Sequence, residues 1–107
     1  MNGLTKKDLL NYHISIDKNG NVFHCLPNKC YKLTRLRTKH YGEKSYYCYK
    51  FLHYDKTICL PEARLFYVFY VGDIEDNKVV VHIDGNIQNN KADNLKLVSV
   101  SELKKRS

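Results

Sequence analysis

Residues 12–16 and 22–25 are two short runs in which aliphatic and aromatic side chains interleave with polar ones. Asp17-Lys18-Asn19-Gly20-Asn21 separates them. Asn-Gly between such runs predicts a tight hairpin, because both residues tolerate the positive φ that a two-stranded turn demands. Residues 32–39 alternate, which places Thr34, Leu36 and Thr38 on one face and Arg35, Arg37 and Lys39 on the other. Residues 40–44 predict the turn of a second hairpin. Residues 45–53, rich in the aromatic side chains that strands favour, predict its return, and residues 57–60 a short further strand.

The pattern changes at Pro61-Glu62. Proline in a first turn and an acid near the positive helix end are start signals. The spacing predicts a helix over 61–71, ended by Gly72, with Leu65, Val68 and Phe69 on one face and Phe66 and Tyr70 widening it. Such a face belongs to the core rather than to a ligand. A strand over 78–83, a polar loop over 84–94 and a strand over 95–100 follow. Ser101 then caps one or two helical turns. The class expected is α+β: antiparallel β-hairpins plus one helix, then a strand–loop–strand unit with a shortened final helix. With 107 residues the chain has the length of one domain, a β-rich part over 1–60 and the remainder over 61–107.

Composition is that of a globular protein, 43% hydrophobic and 27% charged. The longest apolar run, residues 65–71, is far short of the roughly 20 residues that cross a bilayer. The N-terminus has no apolar segment of a secretory signal, so a cytoplasmic location is expected. Heavy use of Lys, Asn, Tyr and Ile fits an AT-rich genome, as in a phage or a low-GC bacterium. The four cysteines, Cys25, Cys30, Cys48 and Cys59, lack the tight pair spacing of zinc knuckles, although His24 and His53 could complete a ligand set. They are expected to be reduced, buried thiols. Lys and Arg outnumber Asp and Glu by 18 to 11, a net charge of +7, with the bases crowded between residues 29 and 50. A surplus of that size on a small surface favours a polyanionic partner.

Val81-His82-Ile83-Asp84-Gly85-Asn86, then Asn89-Asn90 and Asn94-Leu95-Lys96-Leu97-Val98, resembles the HNH motif of phage and intron homing endonucleases. The similarity is strong over 63–101. A looser one upstream, from Tyr12-His13-Ile14-Ser15 to Gly20-Asn21-Val22, resembles the opening of a small β-rich DNA-binding module. The resemblance implies a C-terminal ββα metal finger, in which a histidine takes a proton from the attacking water and one Mg or Mn ion stabilises the leaving oxygen. His82 matches the base and Asn94 the asparagine that orients the site, while Asp84 and Gly85 are expected to shape the turn.

Two positions depart from that pattern. Val81 stands where the family carries an Asp or Asn ligand, and Leu103 where it carries an Asn or His. Neither can coordinate a hard cation. The first expectation is therefore a protein that binds double-stranded DNA, impaired in cleavage and without a cofactor. Arg35, Arg37, Lys39, Lys44 and Lys50 would meet phosphates or base edges, and Lys104, Lys105 and Arg106 would add a second grip. The alternatives are an active nuclease using Mg or Mn in a variant site, and a phage-type product that binds and inhibits a host protein through its nine tyrosines.

Overall fold

A computed structural model describes residues 3–38 and 46–105. The chain opens with a short helix, α1 (Lys6–Asn11). Strands β1 (Ile14–Ile16), β2 (Val22–Leu26) and β3 (Lys29–Lys32) form one antiparallel sheet. A second comprises β4 (Leu36–Thr38), β5 (Tyr46–His53) and β6 (Lys56–Pro61). Helix α2 (Glu62–Tyr70) leads to a third, two-stranded sheet of β7 (Lys78–His82) and β8 (Leu95–Ser99). A 3-10 turn (Ala92–Asn94) precedes β8, and α3 (Val100–Lys105) follows it. The α+β class and its small antiparallel sheets are as expected from the sequence; the helix expected over 61–71 runs from Glu62 to Tyr70, with Pro61 ending β6 as the extended residue that caps it.

Helix α1 was not expected. Its signal is Thr5-Lys6-Lys7-Asp8, in which Thr5 Oγ1 accepts from the Asp8 N–H and the Asp8 carboxylate accepts from the Thr5 N–H. This reciprocal cap satisfies two backbone donors that a six-residue helix would otherwise leave open. Leu9 goes into the core, and Leu4 bridges to Ile74, tying the N-terminus to the segment after α2.

The expected continuous strand over 32–39 is corrected. Pro27 and Asn28 make a tight turn, so Lys29–Lys32 folds back on β2 in the register Cys25↔Cys30 and Phe23↔Lys32. The chain then leaves that sheet, with Leu33 N–H bonded to Val22 C=O, and starts β4 against β5 in the register Arg37↔Tyr47. A two-residue turn outcompetes simple alternation, because alternation says nothing of which sheet a residue joins. The turn expected over 40–44 lies outside the described residues. At the C-terminus the helical segment begins at Val100, and its cap is Ser99, whose Oγ accepts from the Glu102 N–H, not Ser101.

The cysteines are also corrected. Cys25 and Cys30, directly opposite on β2 and β3, form a disulfide. Cys48 is a buried free thiol as expected, but the free thiol of Cys59 is exposed. Cys48 and Cys59 lie close together on the paired strands β5 and β6. Burial, together with the hydrogen bond and charge of Cys59, raises the Cys48 thiol to about 11.

Helix α2 is the hub. It packs on β5, β6 and β7. Leu65 and Val68 have no exposed surface and join Leu9, Ile16, Val22, Phe51, Leu60 and Ile74 in one cluster, against which Val80 and Leu97 pack. Burying a Leu or Val of this kind contributes about 1.5–3 kcal/mol each. Phe69, expected on this face, is 39% exposed. Because α2 packs on both the second sheet and the C-terminal hairpin, its first residue, Glu62, can reach side chains from both.

Candidate active site

His82 is the last residue of β7, opposite Leu95. The loop beyond it is held in shape by its own side chains. Asn94, buried at the end of the 3-10 turn, donates through Nδ2 to Asp84 Oδ1 (2.9 Å) and to Asn89 C=O (2.8 Å). Its Oδ1 accepts from the Asp84 N–H (3.1 Å). Asp84 also accepts from the Asn86 N–H (2.8 Å) and from Asn89 Nδ2 (3.0 Å). These donors, the Asn86 amide foremost, hold the Asp84 carboxyl below its ordinary value. Gly85 takes φ of +76°, a conformation few side chains tolerate, and its N–H closes a turn onto His82 C=O. Asn94 and Asp84 are thus a reciprocal pair that closes the loop.

A second set of contacts runs back into the protein. His82 Nε2 meets Asn90 Oδ1 at 2.5 Å, and Asn90 Nδ2 donates to Glu62 Oε1 at 2.5 Å. Glu62 is buried, and its Oε2 accepts from the Tyr49 hydroxyl (2.7 Å). Arg35 grips it from the other side, Nη2 to Oε1 at 2.7 Å and Nε to Oε2 at 2.8 Å. Burial works against the charge on Arg35, but the hydrogen bonds and charge of Glu62 outweigh it and raise the guanidinium above its ordinary value. Burial, then the bond to Glu62, pushes the Tyr49 phenol well above its ordinary value. The Arg35 guanidinium also lies 3.7 Å from the centre of the Tyr47 ring. Arg35, Tyr49, Glu62 and Asn90, from separate segments of the chain, therefore form one polar network ending on His82.

Of the residues singled out in the sequence, His82 and Asn94 come together around the loop. Arg35 joins the same site through Glu62. Arg37 is exposed on β4, opposite Tyr47. Lys50 is exposed on β5, on the sheet face opposite that of Tyr49. Lys104 and Lys105 extend α3, while Lys39, Lys44 and Arg106 lie outside the described residues. Sequence reasoning missed Glu62, Asn90, Tyr49 and Arg64 as parts of the site. Asn90 stood in the motif and Glu62 at a helix start, but nothing linked them. Arg64 lines, with His82, Tyr46, Pro61, Val79 and Val80, a shallow cavity of about 410 Å³, where burial lowers its pKa. Among the described residues no helix is long and apolar enough to cross a membrane.

No curated protein and no solved structure matches the chain. Residues 64–105 match the family model described as HNH endonuclease, so the segment from α2 through the β7–β8 hairpin into α3 is similar to an HNH endonuclease domain.

Proposed function

We propose that this is a DNA-binding protein of the HNH endonuclease type, related to phage and intron homing enzymes, whose C-terminal β7–β8–α3 unit corresponds to the metal finger but is impaired in metal-dependent cleavage. The observation that carries the reading is the state of the carboxylates around His82. Both Asp84 oxygens already accept from the loop, and both Glu62 oxygens accept from Arg35, Tyr49 and Asn90. Val81, the residue before the histidine, has no donor atom in its side chain. A hard divalent cation needs oxygen ligands, and recruiting either carboxylate would compete with the hydrogen bonds that close the loop or with the ion pair to Arg35. The residues present do not fit the metal that HNH enzymes use.

Binding is supported by the net charge of +7 and by the exposed bases Arg37 and Lys50, with Lys39, Lys44, Lys104, Lys105 and Arg106 as further candidates for phosphates of duplex DNA. Arg35 is a lesser contact, because Glu62 already occupies two of its nitrogens. An active enzyme is the second reading, and the hydrogen bond that holds His82 on Asn90 favours it. Incubating supercoiled plasmid with Mg or Mn distinguishes the two. The first reading expects salt-sensitive DNA binding with little nicking. Strong metal-dependent nicking that vanishes in His82→Ala overturns it.

A further inference from the structure

We infer that Glu62 is a positioning residue for His82, and that the Arg35–Glu62 pair decides, through the Asn90 amide, which imidazole nitrogen carries the proton. This rests on the reading of His82 as the base of the site.

Donors and acceptors along the network leave one consistent assignment. Glu62, paired with a guanidinium and accepting from a phenol, presents oxygens that only accept. Whatever faces Glu62 Oε1 from the loop must therefore donate. Asn90 has one donating and one accepting end, so its NH₂ group is turned to Glu62 and its carbonyl oxygen to His82. An accepting oxygen beside Nε2 requires the proton on Nε2. In the neutral ring the lone pair is then on Nδ1, and that nitrogen is the one able to take a proton from water.

Each element of the network is rigid in its own way. Asn90 is buried, and its Nδ2 also lies 3.3 Å from Ile87 C=O, so both amide hydrogens have acceptors. Glu62 stands at the first turn of α2, fixed by the packing of Leu65 and Val68. Arg35 is clamped between Glu62 and the Tyr47 ring. Glu62 and Asn90 act on the tautomer and orientation of His82 and need touch no substrate, as a partner on the other ring nitrogen generally sets both properties.

The test is nitrogen NMR of the His82 ring in the full chain, without DNA or metal, at a pH where the ring is neutral. The wild type is expected to show a protonated Nε2 with slow hydrogen exchange and an unprotonated Nδ1. Asn90→Ala should lose the slow exchange and bring both nitrogens toward the average of interconverting tautomers. Glu62→Gln, whose side chain can either donate or accept, should do so in part, because the Asn90 amide is no longer forced into one orientation. Tyr49→Phe keeps the buried ring and should raise Nε2–H exchange to a smaller degree. A wild-type ring protonated on Nδ1 overturns the proposal. So do unchanged His82 signals in all three variants when their amide spectra remain native. Since no DNA is present, failure here leaves the DNA-binding reading intact, and failure of DNA binding leaves the tautomer result intact.

Discussion

Asn90 donates its side-chain amide to Glu62, 28 residues earlier in the chain, and both residues are buried. The bond joins the loop of the C-terminal hairpin to the first turn of the helix before it, and through Arg35 to the segment entering β4. The site around His82 is therefore not a self-contained hairpin. Its polar framework draws on residues 35, 49 and 62, two of which lie in the β-rich part of the chain that the basic clustering pointed to as a DNA surface.

The first expectation concerns stability. Tyr49→Phe removes one hydroxyl donor to a buried carboxylate and should cost about 1 kcal/mol. Arg35→Ala leaves Glu62 without its counter-charge. Breaking a fully buried pair costs about 3–5 kcal/mol. The Arg35 side chain is 40% exposed. Solvent screening therefore lowers the expected cost to about 1–3 kcal/mol. Urea midpoints of the two variants test the order, and an Arg35→Ala protein as stable as wild type would remove the ion pair from the framework.

DNA binding should separate Arg35 from Arg37. Removing one phosphate contact lowers the slope of log affinity against log salt by about 0.9. Alanine at Arg37 is expected to flatten the slope. Alanine at Arg35 should change stability more than slope, because Glu62 already engages that guanidinium. Titrations of a duplex at several salt concentrations measure both.

Acid should destabilise the protein through His24. Its ring is buried against Phe51, its Nε2 has no hydrogen-bond partner among the described residues, and His13 and His53 lie nearby. Burial first, then those two histidines, lowers its pKa from 6.5. In the unfolded chain His24 binds its proton as pH falls through 6.5, while the folded protein still resists it. Stability from this residue is complete above 6.5 and is lost below it, down to the lowered folded value. His24→Phe should flatten that acid limb, read as unfolding midpoint against pH. An unchanged limb would assign the acid sensitivity elsewhere.

Thiol chemistry should show two populations. The exposed Cys59 is expected to react with a thiol reagent in the native protein, and the buried Cys48, raised to about 11, only on unfolding. Cys25 and Cys30 should react only after reduction. Mass spectrometry of alkylated protein distinguishes the sites. Rapid native labelling of Cys25 would contradict the disulfide.

Cleavage should respond to the ligand positions. Val81→Asp with Leu103→Asn is expected to create or raise Mg-dependent plasmid nicking, since general base catalysis by His82 alone contributes only about 10²–10⁴-fold. Nicking equally absent from wild type and the double variant would show that the two side chains are not the missing element.

The residues that mark a hairpin, a helix start or a motif do so locally. Asn19-Gly20 forces a turn by its backbone preferences, Pro61-Glu62 starts a helix by missing donor and charge, and His82-Ile83-Asp84-Gly85-Asn86 closes a loop by short-range hydrogen bonds. Thr5 and Asp8 carried an equally local signal for α1. What the chain order could not express was partnership across sheets. The alternation of Arg35, Arg37 and Lys39 is the same whether the strand joins β2 or β5, and the Pro27–Asn28 turn decided it. A basic residue also looks alike in sequence whether it faces water or a buried acid. Arg35 meets Glu62, and Glu62 meets Asn90, only because α2 packs on both β5 and β7, and burial then makes each unsatisfied polar group too costly to leave alone. His82 was legible from its neighbours in sequence, and the network of residues that holds it exists only in the packed protein.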